Sequence, residues 1–170
     1  MMLTDLSLGR ITRTGFAALL ATSLSGPALA QDTGASAQCD QDTDRCVVAV
    51  QMKTEDGKLF GTLTMQIGQD GSQPVLFAVA PLGIATGPGI RIVTQPATTE
   101  IGLPVDVCYP DGCRASADLS DAQLGQLVAA ETLSIQFITF SDGTTLAADM
   151  PASSLIAPLV SAGVVLPGTQ

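Results

Sequence analysis

The 170 residues carry seven Lys and Arg against sixteen Asp and Glu, a formal net charge of −9, and there is no histidine. So acidic a chain disfavours charge-driven binding to nucleic acid or anionic lipid headgroups. Without His, the commonest general base, the commonest metal ligand and the usual catalytic triads are all missing.

The first thirty residues read as a signal peptide. Arg10 and Arg13 form a basic start, residues 16–24 a short apolar run rich in Ala and Leu, and Ser25, Gly26 and Pro27 break it. Ala28, Leu29 and Ala30 then place small residues where a signal peptidase reads. The run is shorter than the roughly 20 residues that span a bilayer. Cleavage after Ala30 is expected, with Ala35, Ser36 and Ala37 as an alternative site. Removing residues 1–30 takes away Arg10, Arg13 and Asp5, leaving five cations, fifteen anions and a net charge of −10. The expected location is outside the cytoplasm: periplasmic, outer-membrane-associated or secreted. No integral membrane segment is expected after cleavage, because Pro158 and Gly163 interrupt the late apolar stretch 155–166.

Residues 31–38 are small and polar and read as a flexible tail; residues 39–170 form a single domain. Residues 46–52 predict a strand. Glu55, Asp56, Gly57 and Lys58 predict a hairpin turn, and residues 59–67 the answering strand, with Leu63, Met65 and Ile67 alternating against Thr62, Thr64 and Gln66. After a turn at Asp70 and Gly71, the continuous apolar run 75–80 predicts a strand buried on both faces. Short strands are expected at 90–94 and 105–108, with a tight turn at Tyr109, Pro110, Asp111 and Gly112. Ser120 and Gln123 form a capping box and Leu119 and Leu124 a hydrophobic staple, so a helix follows with Leu124, Leu127 and Val128 as its apolar stripe. Residues 132–140 predict the longest strand, Asp142 and Gly143 its turn, and 144–148 the return. A short helical or irregular segment near 153–162 contains Pro158. The whole is all-β: a compact antiparallel β sandwich or partly closed barrel with one or two short helices.

Cys39, Cys46, Cys108 and Cys113 allow three disulfide pairings. In an oxidising compartment disulfides are favoured over a four-cysteine zinc site, and the local pairing, 39 with 46 and 108 with 113, fits the turn at Pro110. Neither spacing is Cys-x-x-Cys, the thioredoxin-like motif. Asp40, Asp42 and Asp44 alternate like the opening of a calcium loop. However, Arg45 stands where the turn glycine belongs and Gln51 where the bidentate Glu belongs, so a solvated acidic loop is the better reading. Asp32, Thr33 and Gly34 match the aspartic-protease tripeptide, but in a single copy. A Ser–Lys pair would have to use Lys53 or Lys58, both beside a turn. No catalytic residue, cofactor or metal is expected.

Taken in order, several segments resemble the invasion-associated locus B family of bacterial exported proteins. Residues 46–51 are similar to its first cysteine-led strand. Residues 80–84 and 89–92 resemble its middle signature, and residues 107–115 its Cys-x4-Cys turn. Leu124 and Leu127 followed by residues 133–140 resemble its helix-then-strand ending. The likeness runs from about Cys39 to Leu159. It implies a small exported β-rich domain, linked in some intracellular pathogens to host-cell invasion, with no established catalytic activity or cofactor. The family's Trp before its first cysteine is absent here, which predicts loss of an N-terminal strand. Its Gly-aromatic step is absent near Ser154, Leu155, Ile156 and Ala157, so the resemblance does not itself imply a last helix there.

The expected function is that of a non-enzymatic domain binding a protein or envelope component. Its recognition loops would be Pro81, Leu82 and Gly83 together with Tyr109, Pro110 and Asp111, with Lys58 on the opposite hairpin. The alternatives are a small-ligand carrier, whose cavity would be lined by Phe60, Phe77, Phe137 or Phe140, and an enzyme of unrecognised type.

Overall fold

The computed structural model describes residues 35–54 and 56–168. The signal peptide, its cleavage point and the Asp32 tripeptide lie outside the described residues. Twelve elements follow one another: β1 (Gln38–Asp40), β2 (Arg45–Lys53), β3 (Leu59–Gly68), β4 (Val75–Ala80), β5 (Ile90–Gln95), β6 (Glu100–Leu103), β7 (Val105–Tyr109), β8 (Gly112–Asp118), α1 (Asp121–Ala129), β9 (Thr132–Ile138), β10 (Thr145–Pro151) and α2 (Ser153–Ser161). They make two antiparallel sheets, a six-stranded one in the order β1-β2-β3-β4-β8-β7 and a four-stranded one in the order β10-β9-β5-β6. The sheets pack as an open sandwich and do not close into a barrel.

Period-two patterning builds the core. Val48, Val50 and Met52 of β2 are buried, as are Leu63, Met65 and Ile67 of β3, while their neighbours along the strand face outward. Ile90 and Ile92 of β5, Ile101 and Leu103 of β6, and Leu133, Ile135 and Phe137 of β9 answer from the second sheet. Each such side chain contributes about 1.5–3 kcal/mol by leaving water. Phe60 and Phe137 stack with ring centroids 4.7 Å apart.

The capping box forms as its sequence dictates. Ser120 N donates to Gln123 Oε1 at 3.0 Å, and Gln123 N donates to Ser120 Oγ at 3.3 Å. Leu124 and Leu127 are buried, and α1 carries the chain from the first sheet to the second. The last helix also forms, with Pro158 inside it, because Leu155, Ile156 and Leu159 make one buried face next to β2 and β10. That face outweighs the hydrogen bond Pro158 cannot give.

Several expectations are corrected. Strand structure begins at Gln38, inside the stretch read as a tail, and β1 exists without the family's Trp because Cys39 pairs with Cys46 across it. Strand β9 ends at Ile138, not at residue 140, because Thr139 turns into the Asp142 hairpin: Thr139 N donates to Thr144 O at 2.9 Å. The longest strand is β3, with ten residues. Strands β6 and β8 were not anticipated as such.

The two disulfides, Cys39–Cys46 and Cys108–Cys113, each join directly paired residues of neighbouring strands, with Cα atoms 4.0 and 3.9 Å apart. The register places them at diagonal corners of the large sheet. The first clamps edge strand β1 beside the end of β3; the second clamps edge strand β7 beside the end of β4.

Candidate recognition site

Strand β4 was expected to be buried on both faces. Instead Leu76, Ala78 and Ala80 point into the core, while Phe77 stays 38% exposed and Val75 and Val79 are only half-buried. The reason is supply. The two helices are committed elsewhere, α1 bridging the sheets and α2 packing near β2 and β10, so no described element covers the outer face of β4. Across the sheet Phe77 pairs with Ser116 and Val79 with Arg114, and Arg114 pairs with Val107 of β7. Val107 and Tyr109 are 40% and 51% exposed. Together these side chains form a shallow, open groove of about 860 Å³, lined by Phe77, Val79, Val107, Tyr109 and Pro110 and rimmed by Asp106, Asp111 and Arg114.

The groove's lip is built by the β7–β8 hairpin. Pro110 and Asp111 are its two turn residues, between the paired Tyr109 and Gly112. Gly112 has φ +139°, and a Cβ there would stand 2.6 Å from Ala80 O, so only glycine lets the hairpin lie this close to β4. Arg114 donates to both oxygens of Asp111, at 3.2 and 3.0 Å, and its guanidinium lies 4.7 Å from the Tyr109 ring centroid. Asp106 Oδ2 accepts from Ser116 Oγ at 2.7 Å. The hydrogen bond from Arg114 holds the Asp111 carboxyl below its ordinary value and in turn raises the guanidinium. A depressed folded value means the contact stabilises above the unfolded Asp value of about 3.9 and is lost as pH falls through the folded one. A carboxyl-carbon NMR titration should therefore place Asp111 below the usual Asp range. In Arg114→Gln it should return upward; an unchanged midpoint would mean the pair does not persist in solution.

A family model for the invasion associated locus B (IalB) protein matches residues 33–159. The chain belongs to this family. The crystal structure of invasion associated protein B from Bartonella henselae is similar in fold, with a TM-score of 0.59 at 16% identity over 74% of this chain and 91% of that one. No curated protein sequence matches the chain. The match to the IalB family includes both disulfide hairpins, every residue of the groove and most of α2. Family and disulfides together mark an exported chain. Among the described residues no helix is long and apolar enough to cross a membrane.

The IalB domain brings some of the sequence candidates together and separates others. Tyr109, Pro110 and Asp111 line the groove. Pro81, Leu82 and Gly83 follow β4 at the same end of the sheet, with Leu82 56% exposed and Gly83 O accepting from Phe140 N at 2.7 Å, but they do not line it. Lys58 is not on an opposite hairpin. The pairings Met52–Gly61, Thr62–Val79 and Ala80–Cys113 put its turn at that same end, where it pairs with Asp56 at 2.7 Å. Asp40 ends β1 and Asp42 and Asp44 lie in the exposed turn after it, where Asp40 Oδ1 accepts from Asp42 N at 2.9 Å. Among the described residues no three His, Cys, Asp or Glu are grouped to hold a metal ion. Phe60 and Phe137 are buried against each other, whereas Phe77 and Phe140 are exposed, so the four phenylalanines do not surround one cavity. Lys53 shares a second groove with Ser154 and Asp149.

Val79, Asp106, Val107 and Arg114 escaped the sequence reading, and Phe77 was named only as the lining of a cavity. A six-residue apolar run looks the same whether its outer side chains are covered by a third layer or left open. The available signal was the shortage of helices to supply that layer.

Proposed function

We propose that this IalB-family chain works as a periplasmic or surface-exposed recognition domain, without catalytic chemistry, that holds a protein partner in the groove on β4, β8 and β7. The observation that carries the reading is the exposed cluster of Phe77, Val107 and Tyr109 on a frame stiffened by the Cys108–Cys113 disulfide and the Arg114 contacts. Aromatic and aliphatic side chains already fixed in place lose little entropy on binding. Two carboxylates and an arginine, hydrogen-bonded to each other or to Ser116, offer no nucleophile–base pair.

A photo-crosslinking side chain at Asp111 tests this in the native envelope, against the same probe at Asp70, in the turn at the opposite end of the same sheet. A discrete adduct is expected at 111 and not at 70, diminished by Phe77→Ala, on protein whose intact mass begins at Gln31. Identical adducts from both positions, or none, would remove the groove from consideration, and a mass beginning at Met1 would remove export by cleavage.

A further inference from the structure

We infer that the open edge of β7 is a strand-addition site, taking a short extended segment of a partner polypeptide whose apolar side chains alternate with Lys or Arg. This rests on the recognition reading above and specifies its partner. Strand β7 is last in its sheet, and among the described residues nothing pairs with its side away from β8. Cys108 and Cys113 face each other at a Cα separation of 3.9 Å, the close spacing of a pair that does not exchange main-chain hydrogen bonds. The N–H and C=O of Cys108 are therefore directed to the open side. Val107 and Tyr109 flank it with side chains on the groove face, so an added strand about 4.8 Å away would lay alternate side chains along the groove's rim.

The platform is short. A register break at Asp106 and the turn at Pro110 leave three residues, Val107, Cys108 and Tyr109, in regular pairing. The break guards the rest of the edge. What remains is tied to β8 by the disulfide, so little ordering is needed when a segment docks. Charge selects the occupant. Arg114 is spent on Asp111, Asp106 accepts only a neutral hydroxyl, and the chain as a whole is strongly acidic. A second copy of the domain would bring like charge to the same edge, whereas Lys or Arg in a partner would meet Asp106, the rim carboxylate that no ion pair among the described residues takes up.

The test uses the isotope-labelled, disulfide-intact mature domain and a blocked heptapeptide of alternating Val and Lys. Saturable amide shifts at 107–109 and slowed exchange of the Cys108 N–H are expected. The same peptide N-methylated at alternate residues should bind about tenfold more weakly, the worth of one main-chain hydrogen bond, and a Val–Glu peptide should bind more weakly still. Unprotected Cys108, equal binding of the methylated peptide, or equal binding of the Val–Glu peptide would overturn the proposal. So would protection that rises with protein concentration alone, which would make a second copy the occupant. A partner captured at Asp111 with Cys108 unprotected leaves the recognition reading standing without strand addition; the reverse leaves strand addition without the partner.

Discussion

Phe137→Ala should lower the stability of the domain by about 3–5 kcal/mol and its melting temperature by about 10–20 °C, the largest single-residue effect expected here. Phe137 is 2% exposed, stacks on Phe60 at 4.7 Å, and lies in an inner strand of the smaller sheet, between β5 and β10. Alanine removes a whole ring from between the sheets and leaves a void that neighbouring strands, fixed by their ladders, fill only in part. Phe140→Ala is the matched control. Its ring is 81% exposed, so the change should stay within about 0.5 kcal/mol. Urea unfolding of both variants decides the point. A loss below about 1 kcal/mol for Phe137→Ala would mean that the space between the sheets is loosely filled. That would revive a small-ligand cavity as the working part of the molecule.

Replacing Cys108 and Cys113 together by alanine should cost about 2–3 kcal/mol, through the freedom returned to the unfolded chain. Alanine is the right substitute because Cys113 is 2% exposed, and a serine hydroxyl there would need a buried partner. The Cys39–Cys46 bridge closes a loop of similar length, so the same double change there should cost a similar amount. The two pairs then separate by a second measurement. Only loss of Cys108–Cys113 should speed amide exchange across β7 and weaken whatever the groove holds. Non-reducing peptide mapping checks the connectivity beforehand, and free thiols or crossed pairing in the exported protein would contradict the assigned bridges.

The parts of this fold written locally were legible in its residues. Ser120 and Gln123 announce α1 because a capping box is complete within four residues. Leu63, Met65 and Ile67 announce β3 because a half-buried strand repeats every second residue. Both cysteine bridges could be proposed from spacing and compartment alone, though not the strand β1 that the first of them joins. What stayed hidden depends on partners distant in sequence. Strand β8 reads Gly-Cys-Arg-Ala-Ser-Ala-Asp, with no β-branched residue, and is a strand because β4 and β7 pair with it on both sides. Strand β6 has four residues, including Gly102, and is held by β5. At the candidate site, Tyr109, Pro110 and Asp111 could be named because a tight turn marks itself. Phe77 could be named only as the wall of a cavity, because nothing in its neighbourhood tells which side of a strand will lack a cover.

The diagonal placement of the two disulfides gives the chain different mechanical characters before and after export. In a reducing cytoplasm neither corner of the large sheet is stapled, and the folded state forgoes about 4–6 kcal/mol, against the 5–15 kcal/mol that holds a typical domain together. The outermost strands β1 and β7, only three and five residues long, are the ones left to fray. Once oxidised, the sheet is pinned at both ends and on both margins, and peeling it from either edge requires breaking a covalent bond. The sulfur bridges thus act as a latch that closes behind the chain after it has crossed.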